Sequence, residues 1–277
     1  MPRRARSATV SCRMPRSVNV VSGSALLVEE RRPAYRLLPR TLPGYPSAML
    51  DAAEDDVSDP NYRAAVVDLL GALAYGELSA FERLCADAAL APTLDDKAEI
   101  AAMACAEFGH FQLLRARLTD LDADTETAMR PFVAPLDAFH ASTAPADWLE
   151  GLVKAYVGDG IAADFYREIS VLLDDRTRQL VLEVFGDTGH SEFVVAKVRA
   201  AIEADPRVGG RLALWGRRLM GEALSQAQRV AAERDALAGL LAGAPGGGGM
   251  DLVELGRMFT RITEHHTKRM TALGLAA

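Results

Sequence analysis

The sequence predicts an all-α chain: a four-helix bundle with one long crossover, followed by two additional C-terminal helices. Three observations carry this. Apolar residues recur at steps of three and four along every regular segment, and nothing alternates with period two for long enough to argue a sheet. Ala, Leu and Arg are frequent while aromatics are only 6% of the 277 residues, a balance that favours helix. The connections run short, long, short, which joins the first four helices two by two across a single crossover.

Residues 1–58 lack sustained periodicity and are punctuated by Pro, Ser and Arg, so they are expected to form a disordered or extended Arg-rich arm. At Asp59-Pro60 an N-cap followed by proline opens a first helix that reaches about Ala89. Pro92 breaks it, and Asp95 or Asp96 can cap a second helix ending near Leu118. The stretch from Thr119 to Asp147, rich in Asp, Thr and Pro, reads as the crossover. A third helix from about Trp148 to Leu173 and a fourth from about Arg176 to Ala204 join tightly through Asp174-Asp175. Asp205-Pro206 ends the fourth. The bundle is therefore placed at 59–206, with a helical extension over 207–277. Within the extension, Arg211 to about Leu241 and Asp251 to about Leu273 are helical, and GAPGGGG is a flexible break.

Composition narrows the class of function. Hydrophobic residues make up 49% and charged residues 25%, as in ordinary globular proteins. The net charge of −7 is uneven: residues 1–40 carry nine Arg and two Glu, a net +7, which leaves −14 on the rest. So acidic a body has no general nucleic-acid footprint. Cys12, Cys85 and Cys105 are odd in number and show no CxxC spacing, which fits reduced thiols in a cytoplasmic protein. No stretch approaches the roughly 20 uninterrupted apolar residues that span a bilayer, so no membrane partner is expected.

The chemistry sits where the buried stripes stop being apolar. Stepping along the four core helices gives Leu70, Leu73, Glu77, Phe81, Leu84; then Ile100, Met103, Glu107, His110, Leu114, Leu118; then Leu149, Leu152, Tyr156, Asp159, Ala163, Tyr166; then Leu180, Val184, Asp187, His190, Val194, Val198. Each stripe carries an acid near its middle, and the second and fourth add a His three residues later. Glu77 and Glu107 lie equally far from the first turn, so at roughly 1.5 Å per residue antiparallel helices bring them level. The same count from Asp174-Asp175 puts the partner of Asp187 near position 162. Asp159, on the more apolar stripe, is favoured, with Asp164 as the alternative.

An acid from each of two helices plus acid-x-x-His from each of the other two is the ligand set of a dinuclear carboxylate site. Four carboxylates and two imidazoles suit two irons, or manganese in their place. The metal charge compensates carboxylates that could not otherwise stay ionised inside a bundle.

These motifs resemble the ferritin-like superfamily, and within it the MiaE-type bacterial tRNA hydroxylases. EFGHF at 107–111 is similar to that family's second-helix run, DGIAADFY at 159–166 to its third-helix segment, DTGH at 187–190 to its fourth, and Glu77 in YGELSAFERL to its first-helix acid. Asp159 and Asp187 stand where Glu is usual. The resemblance covers roughly 60–204 and implies a di-iron oxidoreductase with Glu77, Glu107, His110, Asp159, Asp187 and His190 as ligands. Dioxygen, an electron donor and tRNA are the partners it implies. Two other readings of the same pattern are a metal-binding or structural bundle without turnover, and iron oxidation or storage. Outside the pattern, His265-His266 reads as a solvated helix face, Tyr156 as a core tyrosine, and Arg211, Arg217 and Arg218 around Trp215 as an ordinary amphipathic surface.

Overall fold

Helix starts are written in the sequence as a series of side-chain caps. In the computed structural model, which describes residues 59–186, 191–242 and 250–277, nearly every helix opens on an Asp or Thr that accepts from a backbone N–H one turn in. Asp59 caps α1 (Pro60–Asp87), with Pro60 in the first turn. Thr93, rather than the expected Asp95 or Asp96, caps α2 (Leu94–Asp120), and the two aspartates occupy its first turn, where the helix dipole favours them. Asp124 caps α3 (Thr125–Ser142), Asp147 caps α4 (Trp148–Ile169), and Asp174 caps α5 (Asp175–Val184). After α6 (Ser191–Ala204), Asp205 caps α7 (Pro206–Glu233); α8 (Asp235–Ala242) follows directly. A capping box formed by Asp251 and Glu254 opens α9 (Leu252–Ala272). There is no strand among the described residues.

Three differences from the expected layout affect the site. The crossover contains α3, a helix that keeps both Pro131 and Pro135 in its interior. Each proline removes one backbone hydrogen bond, but the helix is held from outside by buried Ala128 and Phe132. Contact with α1 is so close that a Cβ on Gly71 would overlap the Ala128 carbonyl. The expected fourth helix is not continuous: α5 ends at Val184, where Phe185 caps it and Gly186 disfavours further helix. The fifth expected helix starts earlier, at Pro206, and is interrupted at Arg234, whose guanidinium leaves the axis to pair with buried Asp68 of α1 (Nε to Oδ2 3.1 Å).

α1 is the central element. It packs along α2 and α3, and α8 lies across it. By length and composition the segment Pro60–Leu90 could cross a bilayer, but its most apolar stretch is mostly buried inside the fold, as a core helix should be. α4 runs antiparallel to α1: Gly151 packs on Asp87 at one end, and Tyr62 meets the Asp174 N–H (2.6 Å) at the other. That second end is closed by Arg117 of α2, which donates to Thr177 (3.0 Å) and to Asp174 (3.2 Å). Between the two ends α1 and α4 make few direct contacts, and the space left between them is a cavity of about 610 Å³. Lys197 of α6 pairs with Asp96 of α2 (2.6 Å), and α7 and α9 pack on the outer side of α4.

Candidate metal centre

Two of the four expected acids meet as the depth argument requires. Glu77 comes from α1, one turn beyond fully buried Leu73, and is itself only 5% exposed. Glu107 and His110 come from one face of α2, three residues apart. His110 Nδ1 lies 3.2 Å from Glu77 Oε2 and 3.6 Å from Glu107 Oε2. One donor atom from each of the three residues falls within 4.8 Å of the others. Phe81, Phe108 and Phe111 flank the trio in a chain of tilted ring contacts (centroids 5.3 and 5.8 Å apart), fixing α1 against α2 beside it.

Proximity changes how Glu77 and His110 hold protons. Burial pushes Glu77 well above the usual carboxylate range, and the neighbouring Glu107 adds to the rise. Burial alone would lower His110, but the two carboxylates hold its proton and raise it to about 10. The protons held by Glu77 and His110 are ones that a divalent cation can displace, since the ion supplies the charge that burial denies to Glu77. Two carboxylates and one imidazole are hard and borderline donors, a chemistry that fits iron or manganese.

The other expected acids behave differently. Asp164, 4% exposed, is engaged by ion pairs: Arg269 of α9 at 2.6 Å, His265 of α9 at 3.0 Å and Arg167 at 3.0 Å. It is not part of the donor trio. Asp159 is exposed on α4 and lines the cavity, outside the trio. Asp187 and His190 lie outside the described residues. The solvated reading of His265-His266 is corrected: His265 bonds Asp164, and His266 is buried at 5% exposure. The cluster around Trp215 is structural. Arg211 pairs with Asp147 (2.7 Å), Arg218 donates to the Ser142 carbonyl (2.7 Å) and Trp215 Nε1 to the Glu150 carbonyl (3.0 Å).

Glu77, Glu107, Asp159 and Asp164 all line one cavity. Glu77 and Glu107 lie on its wall, and most of the remaining lining is apolar, from α1, α3, α4, α7 and α8. Tyr166 lines it too, stacked on Phe185 at 4.9 Å; burial, with the charge of Glu77, pushes its phenol upward. Sequence reasoning missed His140, Lys154 and Arg269 as cavity residues. For His140 a signal existed: Asp124 is an N-cap, and Ala128, Phe132 and Leu136 step by four toward it. The two prolines outweighed that signal.

This architecture has relatives. The family "Ferritin-like domain, actinomycetes" matches residues 60–244. The chain belongs to that family. Among solved structures it is similar to protein 19 with aldehyde deformylating oxidase activity from Synechococcus, with a TM-score of 0.61 and 20% identity over 80% of this chain and 95% of that one. At that identity the likeness shows the shared ferritin-like fold. No curated protein matches the chain.

Proposed function

We propose that this protein is a di-iron carboxylate oxidoreductase that uses dioxygen to oxidise an apolar group held in the cavity between α1 and α4. The observation that carries the reading is that Glu77 and Glu107, which converge with His110, lie on the wall of a largely apolar cavity of about 610 Å³. Those three residues would hold one ion, and Asp187 and His190, with Asp159 from across the cavity, would supply the second set. Iron bound there would supply dioxygen reduction and oxidation of the substrate. The chain's own part is to keep the carboxylates ionised against the metal, to exclude bulk water with Leu73, Phe132 and Ile161, and to fix the substrate beside Glu77. Hydroxylation of the isopentenyl group of a tRNA adenosine, implied by the motif resemblance, is a narrower case: that group is apolar, but the acidic body offers no broad surface for the rest of a tRNA.

Metal analysis of the purified chain tests this. The expected result is about two irons per chain, in keeping with a dinuclear carboxylate site, with loss of bound iron on Glu107→Ala. A well-folded, metal-free protein from iron-replete cells would sink the proposal. It would favour a bundle whose trio is purely structural, a second reading for which the direct His110–Glu77 contact is the supporting observation.

A further inference from the structure

The cavity has a second polar pole that takes no part in the metal trio. Lys154 enters it from α4 and His140 from α3, and both line the same space as Glu77. The Lys154 ammonium donates to the Thr143 carbonyl (2.8 Å) and stands 5.7 Å from the centre of the Phe139 ring. Among the described residues it forms no ion pair. His140 meets Ser79 through Nε2 (3.1 Å), while its buried Nδ1 has no hydrogen-bond partner.

The energetics are uneven. A buried cation is costly unless paired, and burial lowers Lys154 to about 8. Capping the end of α3 uses one of its three ammonium protons. That role accounts neither for an ammonium facing a largely apolar cavity nor for the unmet Nδ1 of His140. Arg83 and Asp87 of α1 line the same pole with opposite charges, so among the lining groups there Lys154 leaves one positive charge, while exposed Asp137 acts on His140 from outside the lining. Along α1 the pole extends from Ser79, which His140 meets, to Asp87, so at roughly 1.5 Å per residue it begins about 3 Å beyond Glu77 and ends about 15 Å from it.

We propose that Lys154 and His140 form a head-group site for an amphipathic anion, a carboxylate or phosphate monoester whose apolar chain runs along the cavity toward Glu77. This rests on the proposed oxidation beside Glu77 and names the substrate class for it. The anion supplies the missing partner of Lys154, and His140, whose buried Nδ1 is unpartnered, adds a hydrogen bond when the ring turns that nitrogen, carrying its proton, to the cavity.

Calorimetric titration of the full chain with decanoate, decyl phosphate and decanol tests the site without turnover. At least one of the two anions is expected to bind about tenfold tighter than decanol, a difference of about 1.4 kcal/mol, and the better of the two identifies the head group. Lys154→Met should remove that preference and leave decanol binding unchanged, whereas Lys154→Arg should keep it. His140→Phe, on a different helix, should weaken the anion by a smaller factor and provides a second route if Lys154→Met does not fold. Equal binding of all three probes by the unmodified chain, or an anion preference that survives in folded Lys154→Met, overturns the proposal. A chain that holds no iron can still pass this test, and a chain that holds iron can still fail it.

Discussion

The α1–α2 half of the bundle and the half built on α4 carry similar acids at similar depth, yet they use them differently. In the first half Glu77, Glu107 and His110 converge on one another: the two carboxylates hold the His110 proton, and burial holds the Glu77 carboxyl well above its usual range. In the α4 half, Asp164 is just as buried but is surrounded by Arg269, His265 and Arg167. Depth along a helix is therefore not sufficient to make an acid a ligand. What sets Asp164 apart is that a neighbouring element, α9, brings Arg269 and His265 to it.

The sharpest way to break the comparison is to make the same change on both sides. Glu77→Leu is expected to remove metal binding while leaving the metal-free chain at least as stable, because an apolar residue replaces an acid that resists ionisation. Asp164→Leu is expected to do the reverse. It strands Arg269 in a mostly buried position and should cost about 3 kcal/mol, with binding of metal by the α1–α2 trio retained. Metal analysis and urea denaturation of the two variants read both quantities. Loss of metal from Asp164→Leu at full occupancy of folded protein would show that the ion pairs and the centre are one system.

A smaller effect is expected at the contact that lets α3 cover the cavity. A Cβ on Gly71 overlaps the Ala128 backbone, which cannot move without shifting α3, so Gly71→Ala should cost about 2 kcal/mol by overpacking. Gly221 of α7 has open space where its Cβ would be, and Gly221→Ala should stabilise by about 0.8 kcal/mol through helix propensity alone. Thermal midpoints moving in opposite directions confirm the contrast. Equal shifts would mean that α3 is not held by that contact.

These particulars show what could be read from sequence. The all-helical bundle and the meeting of Glu77 with Glu107 and His110 were legible because they depend on periodicity and on residue counts from a turn, both local quantities. The role of Asp164 was not, because two of its three partners, His265 and Arg269, lie about a hundred residues away on a helix whose docking no local pattern encodes. The helix α3 was hidden for another reason. Its stability comes from burying Phe132 against α1, a tertiary gain that outweighs two prolines which, in isolation, argue against any helix.

The effect that is smallest near neutral pH, and grows only in acid, concerns the histidine that α3 contributes. Burial lowers His140 to about 4, and the nearby charges of Lys154 and Arg83 add to this. Its folded value thus lies below the ordinary value of 6.5, so between these limits the unfolded chain binds more protons than the folded one. Stability from this group is complete above about pH 6.5 and is lost as the pH falls toward 4. His140→Gln removes the titration, so the difference in unfolding free energy between the unmodified chain and the variant should shift in the variant's favour across that window and stay flat from pH 7 to 8. Urea melts at half-unit pH steps provide the curve. A difference that does not change between pH 6.5 and 4 would mean that His140 is as easily protonated in the fold as out of it. The cavity pole would then be open to water, which would set it apart from the buried carboxyl of Glu77.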